Sequence, residues 1–556
     1  MAQPLLDLLA RNAELFVVRR SGAGEIVALL VVLLVLVPLP LVALAVLARR
    51  LAPRLGAVHV LGVGALAALG ALLALTRLAV ADGPAWLAAG LALGGAFAWA
   101  YRRYRAVRLL CTYLGLGLVV VPAVFLFELW ATKALAGGQA ADLHVSGART
   151  PVVFVVFDEL SFTALLDERR QIDAVSYPHL AALAREASWF RNAATTSDVT
   201  ELAVPAILTG RAPERGRLPI LRNHPRNLFT ALGGDYELWA AEPITQLCPA
   251  ALNTAEGGAR ASASELTTLL ADLWVVYLHL LLPPRYAGRL PVISDRWRGF
   301  GRPLAEADDD DLSMATFRGL RRDRREELRR FLAALDPEEP RALYFLHVML
   351  PHTPWEFLPS GQTYGGETDR VPGLENEVWQ DEEAYVVQAY QRYLLQVRFL
   401  DRWLGELTAR LKSLRLYDRS LIVLTADHGV SFLPGHSRRW LDAANAPDLL
   451  PVPLLVKAPH QRQGEVVDRP ASTLDLLPTV LDLLGADPPW TFDGRSVFAA
   501  QPGPVHRRVV GRYRDHEIDE RLHRDKYATL RWKLEIFGAG RAVRPAGTHQ
   551  ELDGVE

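Results

Sequence analysis

Cysteine is almost absent from this chain: 556 residues contain two, Cys111 and Cys248. A disulfide framework is therefore excluded, and Cys111, inside an apolar run, is poorly placed to pair with Cys248 in a distant polar stretch. An excess of charge of either sign is also missing. The 61 basic residues meet 62 acidic ones, for a net charge of −1. General nucleic-acid binding needs a basic face, so no nucleic-acid partner is expected. No internal repeat is found. Hydrophobic residues, in contrast, make up half of the chain, and its length allows more than one domain.

The apolar residues are concentrated toward the N-terminus. Residues 1–24, with LLDLLARNAELFVVRR, read as a short amphipathic helix. A cleavable signal is a poorer fit, because the basic pair comes late and the next apolar run is too long. Region 25–133 carries four apolar segments, at 26–48, 55–76, 86–101 and 109–132. About 20 apolar residues cross a bilayer; three segments meet that length and the third falls short. Pro38 and Pro40 interrupt the first, as membrane helices tolerate. Four nearly charge-free runs in succession point to an integral membrane region. Arg49, Arg50 and Arg54 follow the first run, and Arg102, Arg103, Arg105 and Arg108 the third. The positive-inside rule then puts those loops in the cytoplasm and everything after Lys133 outside, in the cell membrane. Arg11, Arg19 and Arg20 weigh against that orientation.

Residues 134–150, rich in Gly, Ala and Ser, read as a linker. Beyond it strands and helices alternate, which predicts an α/β domain over 151–500 with a largely parallel sheet between helices. The run 264–282 is expected to be a helix lying on this domain or on the membrane surface. The acidic run 308–311 lacks the glycine turn and final glutamate of a calcium loop and reads as a solvated helix start. Residues 501–556, with LRWKLEIFG, suggest a small appended sheet.

The chemistry-bearing residues cluster at the ends of predicted strands. The buried run 152–157 ends at Asp158 and Glu159, and LIVLTA at 421–426 ends in Asp427-His428-Gly429. Ligands of open α/β sheets gather at such carboxyl ends. Between them, Thr200 opens an apolar helix closed by Gly210, and a helix start suits a phosphate or sulfate. Two acidic strand ends, a histidine and a hydroxyl compose a plausible divalent-metal site. Thr200 could equally serve only to cap its helix.

These stretches, together with LPHTPW, VPLLVKAP, STLDLLPTVLDLLG and FDGRSV, occur in an order that resembles the sulfatase-like branch of the alkaline phosphatase superfamily. The resemblance implies that Asp158, Thr200, Asp427 and His428 hold one divalent cation (manganese, zinc, magnesium or calcium). It also makes Thr200 the nucleophile and His352 the residue that contacts the anion or protonates the leaving oxygen. His347, His436 and Arg438 are candidates for substrate binding, with Arg439 as the alternative arginine; His347 could instead be a buried structural histidine, and surface-loop roles suit the others equally. Asp475 and Asp482 read as capping and packing residues. Sulfatases carry Cys or Ser within C/S-x-P-x-R at the nucleophile position, whereas here Thr200 is followed by Glu201-Leu202-Ala203-Val204. In this respect the chain is more similar to lipoteichoic acid synthases and phosphoethanolamine transferases. The implied function is a membrane-anchored, metal-dependent phosphotransferase or phosphodiesterase acting on a membrane lipid or envelope glycopolymer. A sulfatase and a non-catalytic membrane scaffold are the alternatives.

Overall fold

The computed structural model describes residues 2–13, 15–16, 23–36, 38–40, 43, 58–78, 83–131, 149–255, 263–287, 324–363, 371–486, 488–499, 508–518 and 521–541. Outside these fall the acidic run 308–311, nearly all of the linker, and Arg19, Arg20, Arg49, Arg50, Arg54 and Lys133 among the orientation-setting charges. The chain divides into two units: residues 1–136 with 258–320, and 137–257 with 321–556.

The first unit is helical. Helix Gln3–Arg11 buries Leu5, Leu6, Leu8 and Leu9 on one face, the amphipathic pattern its sequence predicts. Among the described residues three helices are long and apolar enough to cross a membrane: Val60–Leu78, Gly83–Arg103 and Arg105–Leu129. Their outward leucines and valines, among them Leu61, Leu78, Leu91 and Val119, are more than half exposed, which suits a lipid environment. Of the first expected span, the structure describes helix Ala23–Val31 and the turn Val32–Leu36 that continues it. The helix Ala263–Leu281 belongs to this unit and packs on the helices Gln3–Arg11 and Val58–Leu78. Within this unit, Thr76 Oγ1 donates to the Leu281 carbonyl at 2.8 Å.

Helices Val58–Leu78 and Gly83–Arg103 form a hairpin whose backbones nearly touch. A Cβ placed on Gly94 would lie 2.5 Å from Ala68 Cβ and 2.6 Å from the Gly64 carbonyl oxygen. Small residues permit this approach in membrane helices, where close van der Waals packing replaces hydrophobic driving force. Gly94→Leu is therefore expected to separate the hairpin and lower the thermal midpoint in detergent, an overpacking cost of about 1–3 kcal/mol. Gly95→Leu is the control, because its Cβ meets nothing within 4 Å. Equal midpoints for the two variants would contradict the packing argument.

The second unit is built on a seven-stranded sheet. Its strands are β1 (Val152–Asp158), β2 (Ser188–Phe190), β3 (Glu237–Ala241), β4 (Ala342–Pro351), β5 (Leu421–Ala426), β6 (Leu454–Lys457) and β7 (Glu465–Val467). Their spatial order is β7-β2-β6-β5-β1-β4-β3. All neighbours pair in parallel except β6, which runs antiparallel to both β5 and β2. β1, apolar throughout and fully buried, lies between β4 and β5, with Val152 opposite both Leu343 and Leu421. That shared register brings the carboxyl ends of β1, β4 and β5 to one edge. The long helix Glu383–Ser413 buries Val386, Tyr390, Leu394, Val397 and Leu404 at helical spacing against this unit.

The C-terminal extension corrects the sequence-based expectation of a sheet. LRWKLEIF lies in a helix, Leu522–Phe537, and among the described residues of the extension only Arg508–Val510 with Asp515–Glu517 form a two-stranded ribbon. The helix turns Lys526, Leu530, Lys533 and Phe537 inward. Its buried amines are satisfied: Lys533 donates to the carbonyls of Ala164 (2.9 Å) and Leu166 (2.7 Å), and Lys526 to the Arg191 carbonyl (2.5 Å).

Candidate metal and ester site

At the shared sheet edge β1 delivers Asp158, β5 leads into Asp427 and His428, and the helix Thr200–Thr209 brings its first residue alongside. All four are buried. Asp158, Asp427 and His428 each offer a ligand atom, and these atoms lie within 4.8 Å of one another. Asp427 Oδ1 accepts from the backbone N–H groups of His428 (2.6 Å) and Glu159 (3.1 Å). Its Oδ2 is buried and has no hydrogen-bond partner among the described residues. His428 Nδ1–H donates to the Gly429 carbonyl at 2.8 Å, which leaves Nε2 as the ligand-competent nitrogen. Two carboxylates buried together are costly without a cation. The residues therefore fit a divalent ion held by Asp158, Asp427 and His428.

Thr200 could have spent its hydroxyl on capping its helix. It does not: Val199 is the N-cap residue and no side chain caps the helix. Thr200 Oγ1 instead lies 3.5 Å from His428 Nε2. The hydroxyl is thus buried beside the cation ligands at a positive helix end.

Gly429 follows the metal pair for a steric reason. A Cβ there would sit 2.1 Å from the Asp448 carbonyl oxygen, so close backbone approach, rather than a sharp turn, demands glycine. Asp448 is itself buried; its Oδ2 accepts from Ser431 Oγ (2.6 Å) and its Oδ1 from Thr529 Oγ1 of the C-terminal helix. Burial lifts its pKa from 3.8 to about 6, against the pull of those two hydrogen bonds. The native carboxyl keeps its proton where the unfolded one loses it. Its stabilising contribution is full below the unfolded value and is lost as pH rises through 6. Asp448→Asn is expected to remove that loss, so its stability relative to wild type rises by about 2–3 kcal/mol between pH 4 and pH 7. Urea unfolding at both pH values checks this, and a constant difference would refute it.

His352, at the end of β4, is buried and its Nδ1–H donates to the Thr353 carbonyl at 2.8 Å. Its Nε2 faces Glu159 Oε1 at 3.2 Å. Burial drives the imidazole down to about 3, with Glu159 opposing and Arg438 and Arg439 assisting, so it is neutral at pH 7. His347, five residues earlier, lies wholly inside the sheet, with Nε2 3.8 Å from Asp158 Oδ2. Burial first, with His428 assisting against Asp427, lowers it to about 4. It can orient Asp158 from beneath, but it has no surface to offer a substrate. His436 stays outside the cluster, partly exposed and paired with Asp442 at 3.0 Å.

Arg438 is buried and paired with two glutamates. Its Nη1 donates to Glu159 Oε2 at 2.6 Å, and its Nε pairs with Glu377. Its two ion pairs hold it on Glu159 and Glu377. Glu159 and Glu377 both adopt φ near +60° (62° and 64°), a left-handed backbone unusual for glutamate. Burial raises the pKa of Glu159, but Arg438, then His352 and Arg439, outweigh it and hold the carboxyl ionised at about 2. Ser161 and Tyr393 lock the same loop: Tyr393 Oη donates to the Glu159 carbonyl (2.9 Å) and accepts from Ser161 N–H (2.8 Å). Asp198, two residues before Thr200, accepts from the N–H groups of Leu441 (2.9 Å) and Arg512 (2.9 Å). Sequence reasoning missed Glu377, Tyr393 and Asp198, because each acts through partners distant in sequence: Arg438 for Glu377, Glu159 and Ser161 for Tyr393, and Leu441 and Arg512 for Asp198.

Residues 295–486 match the Sulfatase family model. That span contains His347, His352, Asp427, His428 and Arg438; Asp158 and Thr200 lie outside it. A multifunctional alkaline phosphatase superfamily protein, PehA of Trinickia caryophylli, is 30% identical over 136 residues, 24% of this chain and 26% of that protein. An endo-4-O-sulfatase of Bacteroides thetaiotaomicron is 32% identical over 100 residues, 18% of this chain and 19% of that protein. The chain thus spans about a quarter or less of the length of these curated relatives. Among solved structures, a phosphonate monoester hydrolase from Silicibacter pomeroyi aligns with a TM-score of 0.38 at 21% identity, over 63% of this chain and 76% of that one. The C-terminal periplasmic domain of EcEptC from Escherichia coli, in complex with Zn, aligns with a TM-score of 0.39 at 17% identity, over 69% of this chain and 96% of that one. The family match and the α/β architecture agree on a sulfatase-like domain.

Proposed function

We propose that this protein is a membrane-anchored, metal-dependent phosphotransferase or phosphodiesterase that acts on a lipid or envelope phosphoester through Thr200. The observation that carries the reading is the state of Thr200: a buried hydroxyl at a helix start, unspent on capping, 3.5 Å from His428 Nε2. Asp158, Asp427 and His428, with Thr200 as fourth ligand, would hold the cation. When bound, it supplies charge neutralisation at the phosphoryl oxygens and lowers the pKa of the hydroxyl. In the first step Thr200 Oγ1 bonds to phosphorus as the ester bond to the leaving group breaks. The proton lost by threonine balances the proton gained by the leaving oxygen, and His352, neutral with Nε2 3.2 Å from Glu159 Oε1, is assigned to carry it. Water or an acceptor hydroxyl then attacks the same phosphorus and releases Thr200.

A threonine sulfate ester has no comparably easy exit, and formylglycine chemistry cannot be installed on threonine; both favour phosphorus over sulfur. The long apolar helices support a site kept near a bilayer, on its extracytoplasmic side by the positive-inside rule. Treating purified full-length protein with EDTA is expected to abolish turnover of bis(4-nitrophenyl) phosphate. It should also lower the thermal midpoint, because Asp158 and Asp427 are left buried together, and added manganese or zinc should reverse both effects. Turnover that survives exhaustive chelation, with no change in midpoint, would exclude the metal-dependent reading.

A further inference from the structure

The loop that carries His352 is short of backbone donors, because Pro351 and Pro354 have no N–H. Its carbonyls are nevertheless met one after another. Four in succession, those of residues 351–354, accept a side-chain hydrogen bond. The Thr353 carbonyl takes the Nδ1–H of His352 itself. The other three are held by two side chains from two different helices. Gln396, wholly buried within the helix Glu383–Ser413, donates from Nε2 to the carbonyls of Pro351 (2.9 Å) and His352 (3.2 Å). Its Oε1 accepts from the N–H groups of Glu356 (3.1 Å) and Phe357 (3.3 Å). Arg324, the first residue of the helix Arg324–Ala334, donates from Nη1 to the carbonyls of His352 (2.9 Å) and Met349 (3.1 Å). Its Nη2 donates to the Pro354 carbonyl (2.9 Å) and to Glu356 Oε1 (2.6 Å). The two side chains thus converge on the carbonyl of His352.

Each residue type suits its task. A primary amide offers two donors and an acceptor in one plane, so Gln396 can satisfy carbonyls on one side of the loop and N–H groups on the other. A guanidinium fork reaches several acceptors in fixed directions, which a lysine amine does not. With the main chain anchored from both helices and the ring tied to the next carbonyl, the direction of His352 Nε2 is set. We propose that Arg324 and Gln396 are positioning residues for His352: by holding the 351–357 loop they keep Nε2 where the leaving oxygen must receive its proton. This rests on the reading of His352 as proton carrier. A misplacement of about 1 Å costs on the order of 100-fold in a step that depends on geometry. Delivery of a proton matters most when the leaving oxygen is strongly basic and least when it departs readily as an anion.

That dependence supplies a test that a general loss of stability does not mimic. Purified full-length wild type, Arg324→Ala, Arg324→Lys, Gln396→Met and His352→Ala are loaded with manganese or zinc. For each, kcat/KM is measured on bis(4-nitrophenyl) phosphate and on diphenyl phosphate, whose leaving phenolate is far more basic. The ratio of the two values within one preparation is independent of how much of the protein is folded. His352→Ala is expected to raise the ratio at least about 100-fold over wild type, the lower end of what a general acid contributes. Arg324→Ala and Gln396→Met should each raise it at least about tenfold with bound metal unchanged, and Arg324→Lys should fall between alanine and wild type. A ratio within about twofold of wild type in either variant, while His352→Ala raises it, overturns the assignment of that residue and leaves the reading of His352 standing. An unchanged ratio in His352→Ala removes the proton-carrier reading and the inference with it, and Thr200 is then judged by its own adduct. A raised ratio accompanied by loss of bound metal also overturns the inference, because the effect then runs through the cation.

Discussion

Thr200→Ala is expected to form no covalent adduct and to turn over phosphodiesters at least about a thousandfold more slowly than wild type, the scale of loss when a nucleophile is removed. The argument starts from what the hydroxyl does not do. Val199 takes the N-cap position and no side chain caps the helix, so Thr200 Oγ1 is not committed to the backbone. It is buried beside two carboxylates and the free nitrogen of His428, at a helix end that favours developing negative charge. The measurement is intact mass after incubating full-length protein with a lipid extract and manganese or zinc. Wild type should gain the mass of a phospho-head group mapping to Thr200, which would name the donor. Thr200→Ser keeps the oxygen and should retain the adduct, so it separates loss of the nucleophile from disturbance of the helix. Thr200→Ala with turnover within tenfold of wild type would move the nucleophile elsewhere and favour hydrolysis by a directly activated water. Wild type with bound metal but no adduct and no turnover would favour a scaffold that keeps the fold.

The sheet and its acidic edge were legible because each central strand announces itself. VVFVVFD and LIVLTA are unbroken apolar runs that stop at acids, which a strand buried on both faces requires. The C-terminal helix was not legible for the opposite reason. Its inward face is Lys526, Leu530, Lys533 and Phe537, a helical period in which two members read as polar. Their amines are buried only because carbonyls from the loops after β1 and β2 accept them. No local pattern reports partners more than 300 residues away. The run 264–282 was readable as a helix, but the partners it packs on were not. Arg438 and Arg439 show the same limit at the site. Adjacent and identical in type, they are indistinguishable in sequence, and only the placement of Glu159 and Glu377 marks Arg438 as the one that ion-pairs with both.

That difference gives the second large effect. Arg438→Ala is expected to cost about 3–5 kcal/mol of stability, because it leaves Glu159 and Glu377 buried without their shared cation. Both carboxylates are almost inaccessible, and neither can turn to solvent without unwinding a left-handed backbone that the native loop alone holds. The damage should reach the chemistry as well. Glu159 is the residue after Asp158, its N–H donates to Asp427 Oδ1, and its Oε1 faces His352 Nε2. A displaced Glu159 therefore disturbs a cation ligand on each side and the proton carrier at once. Metal affinity should fall along with the thermal midpoint. A further variant separates charge from packing. Arg438→Met in a Glu159→Gln, Glu377→Gln background removes all three charges at nearly constant volume and should recover most of the lost stability, since a buried ionic triad contributes little beyond its apolar equivalent. Recovery of the midpoint without recovery of turnover would show that the triad exists to position Glu159. Arg438→Ala melting within about 1 kcal/mol of wild type would mean that water reaches the two glutamates, and the buried-triad argument would fall with it.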